Sequence, residues 1–273
     1  QIVRDQFLVL TATPSPTSVF SGWSGDLPPG ADPANPILNV IMSQDRVITA
    51  TFAPADYTLT VQVAGTTNPV DVYPAPGQYG FLSGQQITLR AMPANGSIAA
   101  FDLWTGSIAD SQPIVTLTMN GNKTVIANYV DTDASNSKQL TVLASEGPGT
   151  GLVFPLGEGV YRFLTNRQVM FAANPLPGSY FNGWRGDYNG VNTPQELAVR
   201  MSQDRTLGAA FSTTGANVTV AVSGQGDVFP RPGVYALADG LAVPFTGSRI
   251  NSTWVFDSWQ DIRGNPYSSD NPY

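Results

Sequence analysis

Aspartates make up almost all of the side chains in this sequence that could carry chemistry. The 273 residues contain no His and no Cys, which excludes the side chains that most often serve as general base or as thiol nucleophile. There are 17 Asp but only 3 Glu, and the Asp residues recur in turn sequences, where they hydrogen-bond their own backbone. A pair of catalytic carboxylates of the glycosidase kind is therefore disfavoured, and we expect that the protein is not an enzyme.

One acidic segment has the alternate spacing of a calcium-binding loop. Asp131, Asp133 and Ser135 would offer the oxygen ligands that hard cations prefer, although neither the glycine nor the closing glutamate of such a loop follows. Two interpretations stay open, a polar linker and a joint stiffened by calcium, and no other cofactor or metal is expected. The glycine-rich segment 147–151 is not interpreted as a phosphate loop, because no helical pattern follows it.

The charge pattern limits the partners. Charged residues make up 12% of the chain and the net charge is -7, so no basic stripe is present to bind a phosphate backbone, and we expect no nucleic acid partner. No run of about 18 apolar residues predicts a membrane span. The acidic, Thr- and Asn-rich composition with only 2 Lys favours a secreted protein, extracellular or at the cell surface.

Aromatic residues reveal an internal repeat. A Phe stands three residues before a Trp four times, and the Trp residues are 81, 80 and 75 positions apart. An aromatic residue also ends the last alternating run of the first three copies. Two roles are open for this signature, closure of a small core in each copy and a stacking platform for surface glycans. Its residues are Phe20, Trp23 and Phe52; Phe101, Trp104 and Tyr129; Phe181, Trp184 and Phe211; and Phe256 and Trp259.

The segments around these aromatics alternate with a period of two, and no helical period with caps extends over ten residues. The sequence therefore predicts an all-β fold, a tandem array of small β-rich repeat domains of about 75–80 residues with about six short strands each and incomplete units at both ends. Residues 114–119 and 124–129, joined by a turn with Asn120 and Gly121, are predicted to form a hairpin. We expect another hairpin at the start of each full copy.

The repeats divide the chain into four copies. We predict two full repeats, copy two and copy three, between two partial ones. The boundaries are 1–53 for copy one, which lacks its first hairpin; 54–130 for copy two; 131–137 for a linker; 138–212 for copy three; and 213–273 for copy four, which lacks its last hairpin.

The motifs shared by the copies resemble the divergent B-repeat family of bacterial surface proteins, related to the B repeats of internalins. Copy one carries Trp23, Gly25 and Asp26, followed by Met42, Asp45, Arg46, Ala50 and Phe52. Copies two and three carry the corresponding residues, except that copy two has Ser107 in place of the Asp that follows the Gly. The resemblance covers essentially the whole chain and implies compact β-rich modules in exported proteins, with stalk, adhesion or matrix roles and no catalytic residues.

The unmatched copies at either end suggest how the chain is used. A unit without two strands exposes unpaired backbone groups and part of its core, which invites pairing with another strand. Either the sequence is a window on a longer array, or subunits join head to tail. We therefore expect a non-catalytic structural protein of an extracellular filament or cell-surface fibre, with strand completion and with copies of itself or adjacent repeats as partners. The alternative is an adhesin or carbohydrate-binding surface stalk.

Overall fold

A computed structural model describes residues 6–187, 195–249, 253, 255–261 and 263–269. These residues form β-strands joined by turns, with no helix among them, so the predicted all-β class is confirmed. No described segment is a helix of the length and apolarity needed to cross a membrane. The chain forms two compact units, residues 1–91 with 101–130 and residues 92–100 with 131–273.

The strands follow the repeats. Copy one contains β1 Phe7–Thr11, β2 Ser18–Gly25, β3 Ile37–Ile41 and β4 Ile48–Pro54. Copy two contains β5 Tyr57–Ala64, β6 Val70–Tyr73, β7 Gly77–Phe81, β8 Gln86–Pro93, β9 Ala99–Gly106, β10 Ile114–Thr118 and β11 Lys123–Asp131. Copy three contains β12 Ser137–Val142, β13 Gly151–Phe154, β14 Gly159–Leu164, β15 Gln168–Pro175, β16 Tyr180–Gly186, β17 Glu196–Arg200 and β18 Arg205–Ser212. Copy four contains β19 Gly215–Val220, β20 Gly226–Phe229, β21 Gly233–Ala238, β22 Thr246–Arg249, β23 Trp259–Gln260 and β24 Pro266–Ser268.

Each full copy is built from two sheets, and consecutive strands of the chain lie alternately in one sheet and the other. In copy two the sheet orders are β10-β8-β6 and β7-β5-β11-β9; in copy three β13-β15-β17 lies apart from β14-β12-β18-β16. Leu89, Ala91 and Leu117 of the first sheet are buried, as are Leu59 and Val125 of the second. This alternation of buried residues with exposed ones is the period of strands that have one side against a core.

The predicted hairpin between residues 114–119 and 124–129 is wrong. Its first strand, β10, pairs with β8, whereas its second strand, β11, pairs with β5 and lies beside β9 in the other sheet. The buried Met119 lies where the chain crosses, and its N–H donates to the carbonyl of Gln85 rather than across the turn. In the section that opens copy two, β5 pairs with β7, while β6, which lies between them in the chain, joins β8 in the other sheet. Alternation identifies the inward face of a strand and does not identify its partner.

The partial copies keep this plan. In copy one β1 pairs with β3 and β2 with β4. In copy four β19 pairs with β21 and β20 with β22. A cis peptide bond precedes Pro74, Pro155 and Pro230, at the same turn of copies two, three and four.

Copies three and four share a sheet. Within the second compact unit, β21 lies beside β16, with Phe181 opposite Leu237, so that six strands run in the order β14-β12-β18-β16-β21-β19. The side-chain amide of Gln195 also donates to the carbonyl of Ala236 at 3.1 Å. The joint between these two copies is therefore a backbone pairing between strands and not a flexible spacer.

Candidate functional site

The spacing of the aromatic signature is explained by a β-bulge. Residues three apart in a regular strand face opposite sides of the sheet, so a Phe and a Trp with this spacing would not both point inward. In β16 the pairing with β18 shifts between Phe181 and Trp184, and in β2 the pairing with β4 shifts between Phe20 and Gly22. The inserted residue returns both aromatic side chains to the core face.

The last strand of the repeat completes this cluster. In copy three Phe181 lies opposite Phe211 and Trp184 opposite Ala209, and the small alanine leaves room for the indole. The ring centroids of Phe181 lie 5.6 Å from Trp184 and 6.3 Å from Phe211, with steeply inclined planes, a favourable arrangement of aromatic rings. Trp184 is 5% exposed.

Copies one and two build the same cluster to different degrees of burial. In copy two the ring centroid of Phe101 lies 5.6 Å from Trp104 and 5.7 Å from Tyr129. Trp104 is wholly buried, and burial raises the pKa of Tyr129, so that its hydroxyl stays protonated. In copy one the rings of Phe20, Trp23 and Phe52 meet in the same way, yet Phe52 is 42% exposed against 1% for Tyr129.

In copy four the Phe and the Trp are present, and no strand of the described residues covers them as the last strand does in the other copies. The ring centroid of Trp259 lies 5.3 Å from Phe256 and 5.8 Å from Phe245, a residue that the sequence analysis did not single out. An open groove of about 640 Å³ lies between β19 and these aromatics. In copies two and three the last strand occupies the place of this groove, between the first strand of the copy and the strand that carries the Phe and the Trp.

The Gly that follows the Trp is required by a close approach of backbone. Gly106 has a φ of +95°, and a Cβ at that position would lie 2.3 Å from the carbonyl oxygen of Thr124 in β11. Gly25 and Gly186 show the same clash with the corresponding carbonyls. The motif therefore marks where the backbone of the last strand closely approaches the strand that carries the Phe and the Trp, which we call the aromatic strand.

The residue after this Gly has a structural role in copies one and two. The Asp26 carboxylate accepts a hydrogen bond from the N–H of Val47 at 2.9 Å, and in copy two the Ser107 hydroxyl accepts one from Thr124 at 3.0 Å. Ser107, which departs from the family pattern, thus replaces the carboxylate without loss of the hydrogen bond.

Another polar side chain holds the first strand to the last. The side chain of Asn122 accepts a hydrogen bond from the N–H of Thr58 at 2.9 Å, and Asp204 accepts one from Gln139 at 2.8 Å. Asp45 stands at the corresponding position of copy one, beside a last strand that pairs only with β2 among the described residues.

A tyrosine recurs within the third strand of copies two, three and four, and its hydroxyl reaches back to the turn before that strand. Its hydroxyl donates to a carbonyl four residues earlier, from Tyr79 at 2.7 Å, Tyr161 at 3.0 Å and Tyr235 at 2.6 Å. These tyrosines were not among the candidate site residues singled out from the sequence. Their recurrence with the Pro and Gly before them was the signal available.

The acidic segment proposed for calcium forms an ordered turn between strands. Asp131 ends β11, and the Asp133 carboxylate accepts hydrogen bonds from the side chain and backbone of Ser135 and from the backbone of Asn136. These bonds, that of the Ser135 hydroxyl first, lower the pKa of Asp133. Within the part of the chain that the structure describes, no group of three acidic side chains converges as a metal site. Calcium binding here stays a prediction.

Two strand edges are left open. In copies two and three the first and last strands pair in parallel, Thr60 with Thr124 and Thr141 with Thr206. Among the described residues, neither β4 of copy one nor β19 of copy four has such a partner. Val47, which begins the corresponding stretch of copy one, is 72% exposed.

Comparison with known families agrees with this repeat plan. The family model described as the divergent InlB B-repeat domain matches residues 2–56, 57–133 and 149–215, which together are more than half of the chain. Neither the comparison with curated proteins nor that with solved structures gave a match. With three matches in succession, each containing the aromatic strand and the last strand that covers it, the chain belongs to the divergent InlB B-repeat domain family.

Proposed function

We propose that this chain is a non-catalytic structural component of an extracellular filament or cell-surface fibre, whose modules or subunits join through β-strand pairing. Membership of a family of surface repeat domains supports a cell-surface repeat protein. The most prominent residues of the repeat also serve packing, since the signature tryptophans of copies one to three are at most 9% exposed.

The observation that carries the proposal is the match between the two open edges. If β19 pairs with β4 of a second chain in the register of copies two and three, Thr219 lies opposite Val47 and Val220 opposite Ile48. The Asp45 carboxylate would then accept a hydrogen bond from the N–H of Asn217, as Asp204 does from Gln139. Each new backbone hydrogen bond would satisfy groups that an open edge leaves to water.

This joint requires a local exchange. Strand β4 already pairs with β2, which carries Phe20 and Trp23, so the incoming pair must displace the Phe256 and Trp259 segment of copy four. That segment is loosely held, because β23 has only two residues and Val255 is 76% exposed. The displaced aromatics are replaced by an equivalent pair, so the exchange conserves the core.

The absence of cysteine gives a direct test. A chain with Val47→Cys is mixed with a chain with Thr219→Cys under mild oxidation. We expect a disulfide between the two variants that forms faster than either homodimer. A chain with Thr51→Cys, out of register on the same strand, is the matched control. Equal yields from Val47→Cys and Thr51→Cys, or no cross-link at all, would contradict the pairing.

Carbohydrate binding is the second candidate, and one observation favours it. Trp259 is half-buried, unlike the other signature tryptophans, and lines the open groove with Phe256 and the polar Gln225 and Asp257. An accessible aromatic face beside polar groups is suited to stacking on a sugar ring. Glycan-array binding that Trp259→Ala abolishes and that Tyr73→Ala, at an exposed tyrosine outside the groove, retains would favour this function over strand pairing.

A further inference from the structure

The first and last strands of each full copy are neighbours and run in the same direction. In copy two, residues 59–64 of β5 pair with 123–128 of β11 over six successive positions. In copy three, residues 140–142 of β12 pair with 205–207 of β18. The chain therefore enters each full copy on one strand of a parallel pair and leaves on the other.

This arrangement fixes how the copy experiences tension along the chain. A pull on the start of β5 and on the end of β11 moves the two strands past one another along their length. All the hydrogen bonds between them are then loaded at once, because the force acts along the two strands and the bonds run between them over six successive positions. A pull at adjacent ends of the same two strands would instead open the bonds one after another.

The connections between copies direct tension into this pair. Only residues 132–136 separate β11 from β12, and only 213–214 separate β18 from β19. The first of these connections is itself anchored, since the Thr132 hydroxyl donates to the carbonyl of Ile98 at 2.7 Å and Ser137 is buried. These short connections can lengthen only a little before a force applied along the chain acts on the paired strands.

We infer that the parallel pair of first and last strands is a mechanical clamp, and that each full copy is a force-bearing element. The inference rests on the proposed fibre function for its biological meaning, although the clamp itself is a property of one copy. It assigns a purpose to the parallel pairing, which a closed core alone does not require. A hydrogen bond from the N–H of Thr58 to the side chain of Asn122 reinforces the end of β5 at which force is applied.

Copy three carries the same clamp with an interruption. Beyond Val142 the chain leaves the regular ladder but still runs beside β18. The N–H groups of Leu143, Glu146 and Gly149 donate to the carbonyls of Leu207, Ala209 and Phe211 at 2.7, 3.0 and 3.1 Å. The regular ladder is half as long as in copy two, so copy two is the better copy for the test.

The test compares two directions of pull on the same copy. In the intact cysteine-free chain, handles are attached through Asp56→Cys with Asp131→Cys, at opposite ends of the β5 and β11 pair, or through Asp56→Cys with Asn120→Cys, at the same end. Urea unfolding of the two double variants must agree, which shows that equilibrium stability is matched. At equal loading rate we expect a severalfold higher unfolding force for the opposite-end handles, since forced unfolding reflects the barrier and not the equilibrium.

Equal forces in the two directions would overturn the clamp. The result is independent of assembly, because a high opposite-end force can be found in a chain whose Val47→Cys and Thr219→Cys variants do not cross-link. That combination would retain the clamp and refute the proposed strand pairing. The reverse combination would retain the assembly and refute the clamp.

Discussion

Replacement of Gly106 by Ala tests the packing that defines the repeat. The left-handed backbone at this residue costs a non-glycine residue about 1–2 kcal/mol, and its φ is +95°. The new Cβ would also lie 2.3 Å from the Thr124 carbonyl oxygen, which forces β9 and β11 apart. Overpacking of this kind costs about 1–3 kcal/mol. We therefore expect Gly106→Ala to lower the free energy of unfolding of copy two by about 2–5 kcal/mol.

Gly84→Ala is the matched control within the same copy. Gly84 has a φ of +79°, but nothing lies within 4 Å of the position its Cβ would take. Gly84→Ala should therefore lower the free energy of unfolding by only about 1–2 kcal/mol, the cost of the left-handed backbone. Hydrogen exchange measured by mass spectrometry resolves the copies. Amides of β9 and β11 should exchange at least about fivefold faster in Gly106→Ala than in the control, because overpacking adds about 1–3 kcal/mol and 1.4 kcal/mol corresponds to tenfold. Equal exchange in the two variants would refute the close approach of the strands.

Three further predictions concern polar contacts. Tyr161→Phe removes the hydroxyl that donates to the Gly157 carbonyl, and urea denaturation should show a loss of about 0.5–1.5 kcal/mol; no loss would mean that the contact contributes nothing. Asp26→Ala removes the acceptor of the Val47 N–H, so exchange of that amide should accelerate, whereas Asp26→Ser should retain protection; equal behaviour of the two would count against the shared role. Hydrogen bonds from Ser135 lower the pKa of Asp133, so their stabilisation is present above the ordinary pKa of aspartate and is lost as pH falls through the depressed value; an NMR titration of Asp133 at the ordinary pKa would contradict this.

The repeat and the all-β class could be read from the sequence because both are local patterns. The period of two gives the inward face of each strand, and the spacing of the Phe and Trp pairs gives the repeat. The buried Val125, Ala127 and Tyr129 are the inward residues that alternation predicts for β11. These properties require no knowledge of which strand pairs with which.

Strand partnership could not be read in this way. A turn containing Asn120 and Gly121 is typical of a hairpin, yet here it carries the chain between sheets because Met119 is buried at the crossing. The hydrogen bond from Thr58 to Asn122 joins residues 64 positions apart, and no local pattern reports it. Short-range turn chemistry was therefore overridden by long-range packing.

The candidate site was predictable in its residues but not in its geometry. The inward orientation of both Phe181 and Trp184 depends on a bulge, which the bare spacing of three does not reveal. Phe245 joins the copy-four cluster from outside the repeated motif. The role shared by Asp26 and Ser107 appears only once their backbone partners in the last strand are seen.

Electron microscopy of the purified chain tests the central claim most directly. If β4 of one chain pairs with β19 of the next, negatively stained samples should contain linear strings of modules, whose length rises with protein concentration. Oxidation of a chain that carries both Val47→Cys and Thr219→Cys should convert those strings into a ladder of covalent polymers on a non-reducing gel. Single particles at every concentration, with a fully folded monomer by sedimentation, would contradict the account.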